Sequence, residues 1–100
     1  MAACTRINVD PSAGHPVCNP PRVADQAGQS TVAINSLLAT VVGAHYLVHL
    51  CGGVIPTHDG YASTGSSTVF IEGKPIHRIG DDISCGDVSA SGSRNVFAGG

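Results

Sequence analysis

The apolar positions of this chain fall in short runs broken by glycine and serine, and three of these runs share one frame. Gly28-Gln29-Ser30-Thr31-Val32-Ala33-Ile34-Asn35, Gly65-Ser66-Ser67-Thr68-Val69-Phe70-Ile71-Glu72 and Gly92-Ser93-Arg94-Asn95-Val96-Phe97-Ala98-Gly99 each set a glycine four residues ahead of a valine. The glycine and its polar neighbours read as a turn, and the β-branched and aromatic residues after them read as a short strand. Self-similarity of this kind marks a repeated structural unit. In the second copy Glu72-Gly73-Lys74-Pro75 reads as a tight turn and Ile76-His77-Arg78-Ile79-Gly80-Asp81 as a returning strand, so a hairpin is predicted. In the first copy Leu37-Leu38-Ala39-Thr40-Val41-Val42-Gly43-Ala44 keeps the same register, Val42 falling on Ile79 and Gly43 on Gly80. It lacks the Gly-Lys-Pro turn and the charges. Thr5-Arg6-Ile7-Asn8 resembles His77-Arg78-Ile79-Gly80 and reads as a half-copy that opens the chain.

One segment has two readings. Leu37, Leu38, Val41, Val42, His45 and Val48 recur at helical spacing, whereas the repeat frame makes the same region strand–turn–strand. The repeat frame is preferred, because tertiary context overrides local propensity. A membrane span over Val32–Cys51 is long enough but is disfavoured by Asn35, Ser36, Thr40, His45, Tyr46 and His49 in its interior and by the lack of a flanking basic cluster. Composition narrows the class. With 13 Gly and 6 Pro but no Trp, the chain expects turns and strands, with at most one short helix. Residues 1–100 read as one all-β domain with a thin core. Charged residues are 12% of the chain and the net charge is −2, so no basic stripe exists for nucleic acid.

So thin a core calls for a staple. Cys4, Cys18, Cys51 and Cys85 permit three disulfide pairings. The opening Met-Ala-Ala-Cys-Thr-Arg shows no basic region followed by an apolar one, so no secretory signal is expected. Five histidines beside these cysteines point to a metal, since imidazole nitrogen and thiolate are the donors zinc prefers. The ligands are scattered through loops: Gly14-His15-Pro16-Val17-Cys18, His49-Leu50-Cys51, Thr57-His58-Asp59-Gly60 (read as a turn) and Ser84-Cys85-Gly86. Spacing alone leaves both staples open. His45 and His49 have a helical zinc-site spacing, but Tyr46 stands where a peptidase needs its glutamate base. No nucleophile elbow, phosphate loop or paired carboxylate is present, so neither an enzyme nor a small-molecule substrate is expected. Asp81-Asp82 reads as a turn or cap.

The frame Gly65-Ser66…Val69-Phe70-Ile71-Glu72-Gly73-Lys74-Pro75…Arg78-Ile79-Gly80-Asp81…Cys85-Gly86 resembles the PAAR-repeat family. The tetrapeptide that names the family reads here Pro75-Ile76-His77-Arg78, and with the other copies the resemblance covers nearly the whole chain. The ending Gly92-Ser93-Arg94-Asn95-Val96-Phe97-Ala98-Gly99-Gly100 is most similar to the contractile-phage-tail branch. The resemblance implies a small conical β domain with threefold pseudo-symmetry and a metal at its apex. It implies one structural zinc ion, with iron as the alternative, held by three histidines and one cysteine: His15, His49, His58 and Cys85. Cys18 and Cys51 are the competitors, and His45 and His77 are expected not to be ligands. It also implies a partner, a trimeric β-helical spike capped by one tip per trimer through Val32, Val69, Phe70, Val96 and Phe97. The expected location is the tip of a virion's baseplate spike or of a type VI secretion needle, in transient contact with a host outer membrane. One hundred residues leave no room for an appended effector domain, which favours the phage setting. The alternatives are a secreted, disulfide-stapled binding domain and a small metallohydrolase.

Overall fold

The computed structural model describes residues 1–14, 21–49 and 58–100. Among these residues nine short strands make up the regular structure: β1 (Ala2–Ala3), β2 (Ala24–Gln26), β3 (Ala33–Ile34), β4 (Leu37–Leu38), β5 (His45–His49), β6 (His58–Tyr61), β7 (Phe70–Ile71), β8 (Lys74–Pro75) and β9 (Phe97–Ala98). All pairings are antiparallel, as β1–β9, β3–β4, β7–β8 and a three-stranded sheet in the order β2-β5-β6. No described residue is helical, so the helical reading of 37–50 gives way to β4 and β5. No helix among them is long and apolar enough to cross a membrane.

The repeat frame becomes a threefold arrangement. Three two-residue-strand hairpins form: β3–β4, β7–β8, and a third assembled from the two ends of the chain, β9 with β1. The opening half-copy is therefore the returning strand of the last copy. The predicted turn is shorter than four residues. Glu72 and Gly73 alone turn, at φ of 53° and 79°, while Lys74 and Pro75 belong to β8. Asn35 and Ser36 turn the first hairpin in the same way, at 53° and 71°. Two successive positive φ values match the twist of a two-residue hairpin.

Hydrogen bonds close the three copies into a cycle. Thr40 N–H donates to Thr5 O (3.0 Å), His77 N–H to Thr40 O (3.0 Å), and Thr5 N–H to His77 O (3.1 Å). The isolated bridges Cys4↔Arg78, Arg6↔Ala39 and Val41↔Ile76 run round the same cycle. The turn residues after it are also equivalent: Asn8, Gly43 and Gly80 all have positive φ, and their N–H groups donate to Ala24, Ala62 and Ser89 carbonyls. An L residue adopts this φ at a cost, so glycine is favoured, and asparagine is the best-tolerated substitute.

The core lies in two apolar layers with a polar ring between them. Below are Cys4, Ile34, Ala39, Val41, Ile71, Ile76 and Ala98; above are Ala24, Ala44, Tyr46, Ala62 and Ile83. Between them Thr5, Thr40, His77 and Ser89 are buried. The Thr5 and Thr40 hydroxyls bond each other. Small residues dominate because three strands converge on one axis, where only short side chains fit.

Candidate functional site

Two opposite faces of the threefold body carry the candidate chemistry. The first is the hairpin end. Val32, Val69 and Val96 occupy equivalent positions, their carbonyls accepting from Ala39, Ile76 and Cys4 N–H at 3.1, 3.0 and 3.0 Å. Polar side chains fold the loops ahead of them. Ser66 Oγ accepts from Thr68 and Val69 N–H, and Ser93 Oγ accepts from Asn95 and Val96 N–H. In the first copy Gln29 does this work: its Oε1 accepts from Thr31 and Val32 N–H, and its Nε2 donates to Val32 O and Ala39 O. The loop–strand organisation thus presents Val32 (39%), Val69 (38%), Phe70 (54%) and Phe97 (49%) to solvent, with Val96 half-buried against the lower core. Phe70 and Phe97 are equivalent, and Ala33 takes their place in the first copy.

The charges differ between copies as the repeat predicts. Arg6 grips Asp10 through Nε (2.7 Å) and Nη2 (3.0 Å), and Arg78 grips Asp81 through Nε (2.9 Å) and Nη2 (3.1 Å). Each carboxylate also accepts the backbone N–H of its own arginine. Asp81 is therefore a cap on its turn and an ion-pair partner as well. The third equivalent position is Val41, fully buried, so that copy has an apolar plug where the others have an ion pair.

The second face is the β2-β5-β6 sheet with the turn at Cys85. His58 lies on β6, a strand rather than the expected turn, and its backbone partner across β5 is His49. His58 and Gly60, two apart, lie on one side of the strand. A Cβ on Gly60 would meet Cys85 Sγ at 3.0 Å and Ile83 Cγ2 at 2.8 Å, so the thiol is seated against β6 two residues from His58. The turn that carries it is tied to the same strand, Ser84 N–H donating to Tyr61 O (2.8 Å) and Tyr61 N–H to Ser84 Oγ (2.9 Å). Burial pushes the Cys85 thiol above its ordinary pKa. A bound cation would reverse that, because a metal ligates the thiolate. Among the described residues no three His, Cys, Asp or Glu side chains form a metal-holding group. His15, Cys18 and Cys51 lie outside the described residues, as does the side chain of His49. An imidazole nitrogen from His58 and the Cys85 sulfur are donor types that suit zinc.

The two remaining histidines are engaged elsewhere. His45 bridges Asp25 Oδ1 through Nδ1 (2.5 Å) and Asp59 Oδ2 through Nε2 (2.7 Å), tying β2, β5 and β6 together. Those carboxylates raise its pKa, and Asp59 is lowered in return. His77 is fully buried, Nδ1 donating to Thr64 O (2.8 Å) and Nε2 accepting from Ser89 Oγ (2.6 Å). Burial lowers its pKa, so it is held neutral. With both ring nitrogens occupied, neither histidine has a lone pair aimed at a metal. The His45 bridge was not legible in the sequence, because Asp25 and Asp59 are 20 and 14 residues away. Cys4 carries a free, buried thiol.

This is a small all-β domain with cyclic threefold pseudo-symmetry, apolar at its hairpin end and carrying histidine and cysteine at the other. The family model of the PAAR motif matches residues 52–100. With the same frame running through the first half of the chain, the protein belongs to the PAAR-repeat family. Among curated proteins none matches the chain. Membership makes it a spike-tip protein of contractile injection systems, one that associates with the spike.

Proposed function

We propose that this chain is the tip of a contractile phage tail, one copy capping a trimeric β-helical spike and sharpening it for puncture of a host outer membrane. The observation that supports this most directly is the closed hydrogen-bond cycle Thr5–Thr40–His77, which gives a single chain three similar edges. A monomer needs such edges to sit on a trimer. Val32, Val69, Phe70, Val96 and Phe97 form the docking ring, where exposed apolar side chains gain by leaving water. The phage setting rests on the similarity of residues 92–100 to the phage-tail branch. The work is mechanical; no nucleic acid and no small-molecule substrate take part.

At the far end one zinc ion, or iron in its place, is held by His15, His49, His58 and Cys85. When bound it cross-links the β5–β6 pair to the Cys85 turn and to the loop of His15, a structural role with no open ligand position. The donor pair at β6 supports this assignment.

Co-expression with the spike subunit tests the reading. One tip should purify per three spike chains, with one equivalent of zinc. Phe70→Asp should abolish capping and keep the metal, because an unpaired charge in a desolvated interface core is costly. Loss of zinc on changing Cys18 or Cys51, with retention on changing Cys85, would overturn the ligand set. Two disulfides and no metal would favour the secreted binding domain, against which the free thiol of Cys4 weighs.

A further inference from the structure

The two hairpin turns and the Gly99–Gly100 segment each rest on the glycine-led loop of another copy, and the three contacts are not alike. The Glu72 carboxylate reaches the first copy's loop, where Oε2 accepts from Ser30 N–H (3.1 Å) and Thr31 Oγ1 (2.8 Å). At the second loop the Gly99 carbonyl accepts from Ser66 Oγ, and the Gly100 carbonyl from Ser67 Oγ at 3.4 Å. The oxygen supplied from within the chain is thus anionic at the first place and a backbone carbonyl at the second.

The third place has a neutral amide instead. Asn35 occupies the position of Glu72; its Oδ1 accepts from Ser93 Oγ (2.7 Å) and Arg6 Nη1 (3.2 Å), and its Nδ2 donates to Asn95 Oδ1 (3.0 Å). Beside it the loop carries Arg94 where the other copies have Ser30 and Ser67. Arg6, Asn35, Arg94 and Asn95 line an open cleft of about 250 Å³. Arg6 is neutralised by Asp10, but Arg94 is exposed and makes no ion pair among the described residues. The cleft therefore holds one uncompensated guanidinium, a planar donor fork shaped for a carboxylate.

We propose that this cleft receives an aspartate or glutamate side chain of the spike, which brings to the third loop, beside Arg94, the anionic group that Glu72 brings to the first. The inference rests on the docking reading above. The spike is the occupant because the cleft adjoins the docking ring: Asn95 leads into Val96 and Phe97, and Asn35 follows Ala33 and Ile34. The pair sits at the rim of the interface, where a charge tunes association and salt dependence more than it builds the interface core.

Binding of purified wild-type, Arg94→Gln, Arg94→Glu and Phe70→Asp tips to the purified trimeric spike, measured over a series of salt concentrations, tests the inference. Arg94→Gln should weaken binding about threefold and flatten its salt dependence, and Arg94→Glu should weaken it about tenfold. Both should melt with the wild type, since Arg94 is exposed. If either charge variant binds as tightly as the wild type, or tighter, while Phe70→Asp fails to bind, the carboxylate is overturned and the docking reading stands. If the wild type itself does not bind the spike, both fall.

Discussion

Tyr46 and His77 meet edge to face, ring centroids 6.0 Å apart and planes at 67°, and share one hydroxyl, Ser89 Oγ, at 2.9 and 2.6 Å. Proton directions follow from the ends of the chain. The Thr64 carbonyl can only accept, so neutral His77 carries its hydrogen on Nδ1. Ser89 then donates to His77 Nε2 and accepts from the Tyr46 hydroxyl. The two positions equivalent to Ser89 are Ala24 and Ala62, so alanine fits the backbone there. Ser89→Ala should nevertheless cost about 2–4 kcal/mol in chemical denaturation, because two buried polar groups lose their partner. Adding Tyr46→Phe should recover part of the loss. A single-variant cost under about 0.5 kcal/mol would show that the hydroxyl carries no such network.

The two threonine hydroxyls on the axis should behave as a coupled pair. Thr5→Val or Thr40→Val alone leaves a buried hydroxyl short of one partner and should cost about 1–2 kcal/mol. The double variant should cost less than the sum, since two apolar groups of the same shape replace a pair. A double-mutant cycle with additive costs would rule out the coupling.

The repeated glycine has a steric cause. A Cβ on Gly65 would meet Ile76 O at 2.6 Å, and one on Gly92 would meet Cys4 O at 2.8 Å. Both obstacles are backbone carbonyls that accept from the next serine N–H and cannot withdraw. Gly65→Ala and Gly92→Ala should each destabilise by about 1–3 kcal/mol, read as a fall in denaturation midpoint. Gly73→Ala meets no atom within 4 Å and is strained only by its φ of 79°, so it should cost less.

His45 and His77 should titrate on opposite sides of the free imidazole range, which NMR can follow site by site. Asp59 and Asp25 favour the charged form of His45, and burial disfavours that of His77. For His77 the folded pKa lies below the unfolded one. Its contribution to stability is present above about pH 6.5 and is lost as the pH falls below that, when the unfolded chain takes up the proton. For His45 the folded pKa lies above. Its contribution is present below about pH 6.5 and is lost as the pH rises through the folded value. His77→Gln should remove the first dependence and leave the second; the same acid sensitivity in that variant would refute the assignment.

Gly60→Ala should push on the Cys85 thiol, because the new methyl would lie 3.0 Å from Sγ and 2.8 Å from Ile83 Cγ2. A loss of about 1–3 kcal/mol is expected. If Cys85 is a ligand, zinc per chain should fall with it, whereas Gly65→Ala, in another layer, should keep its zinc.

The repeat in the sequence was enough to foresee an all-β chain, three equivalent valines and a first copy without the charges. Each of these follows from local chemistry: glycine where a carbonyl crowds, a β-branched run where a strand pairs, Val41 where an arginine is missing. It also placed the opening half-copy, though not its partner. That β1 closes a hairpin with β9 depends on the whole of the intervening chain, residues 4–96, returning to one axis, and no local pattern carries that information. The turn at Glu72-Gly73 was drawn too long because proline read as a turn residue, while Pro75 of β8, which has no N–H to donate, pairs with Phe70. His58 read as a turn residue for a similar reason, since Asp59-Gly60 is a turn signal, but pairing with β5 overrode it. Only the tertiary structure decided what His45 and His77 do. The residue type specifies a nitrogen that can donate, accept or ligate. Which of these it does depends on neighbours brought from elsewhere in the chain: Asp25 and Asp59 for His45, and Thr64 and Ser89 for His77.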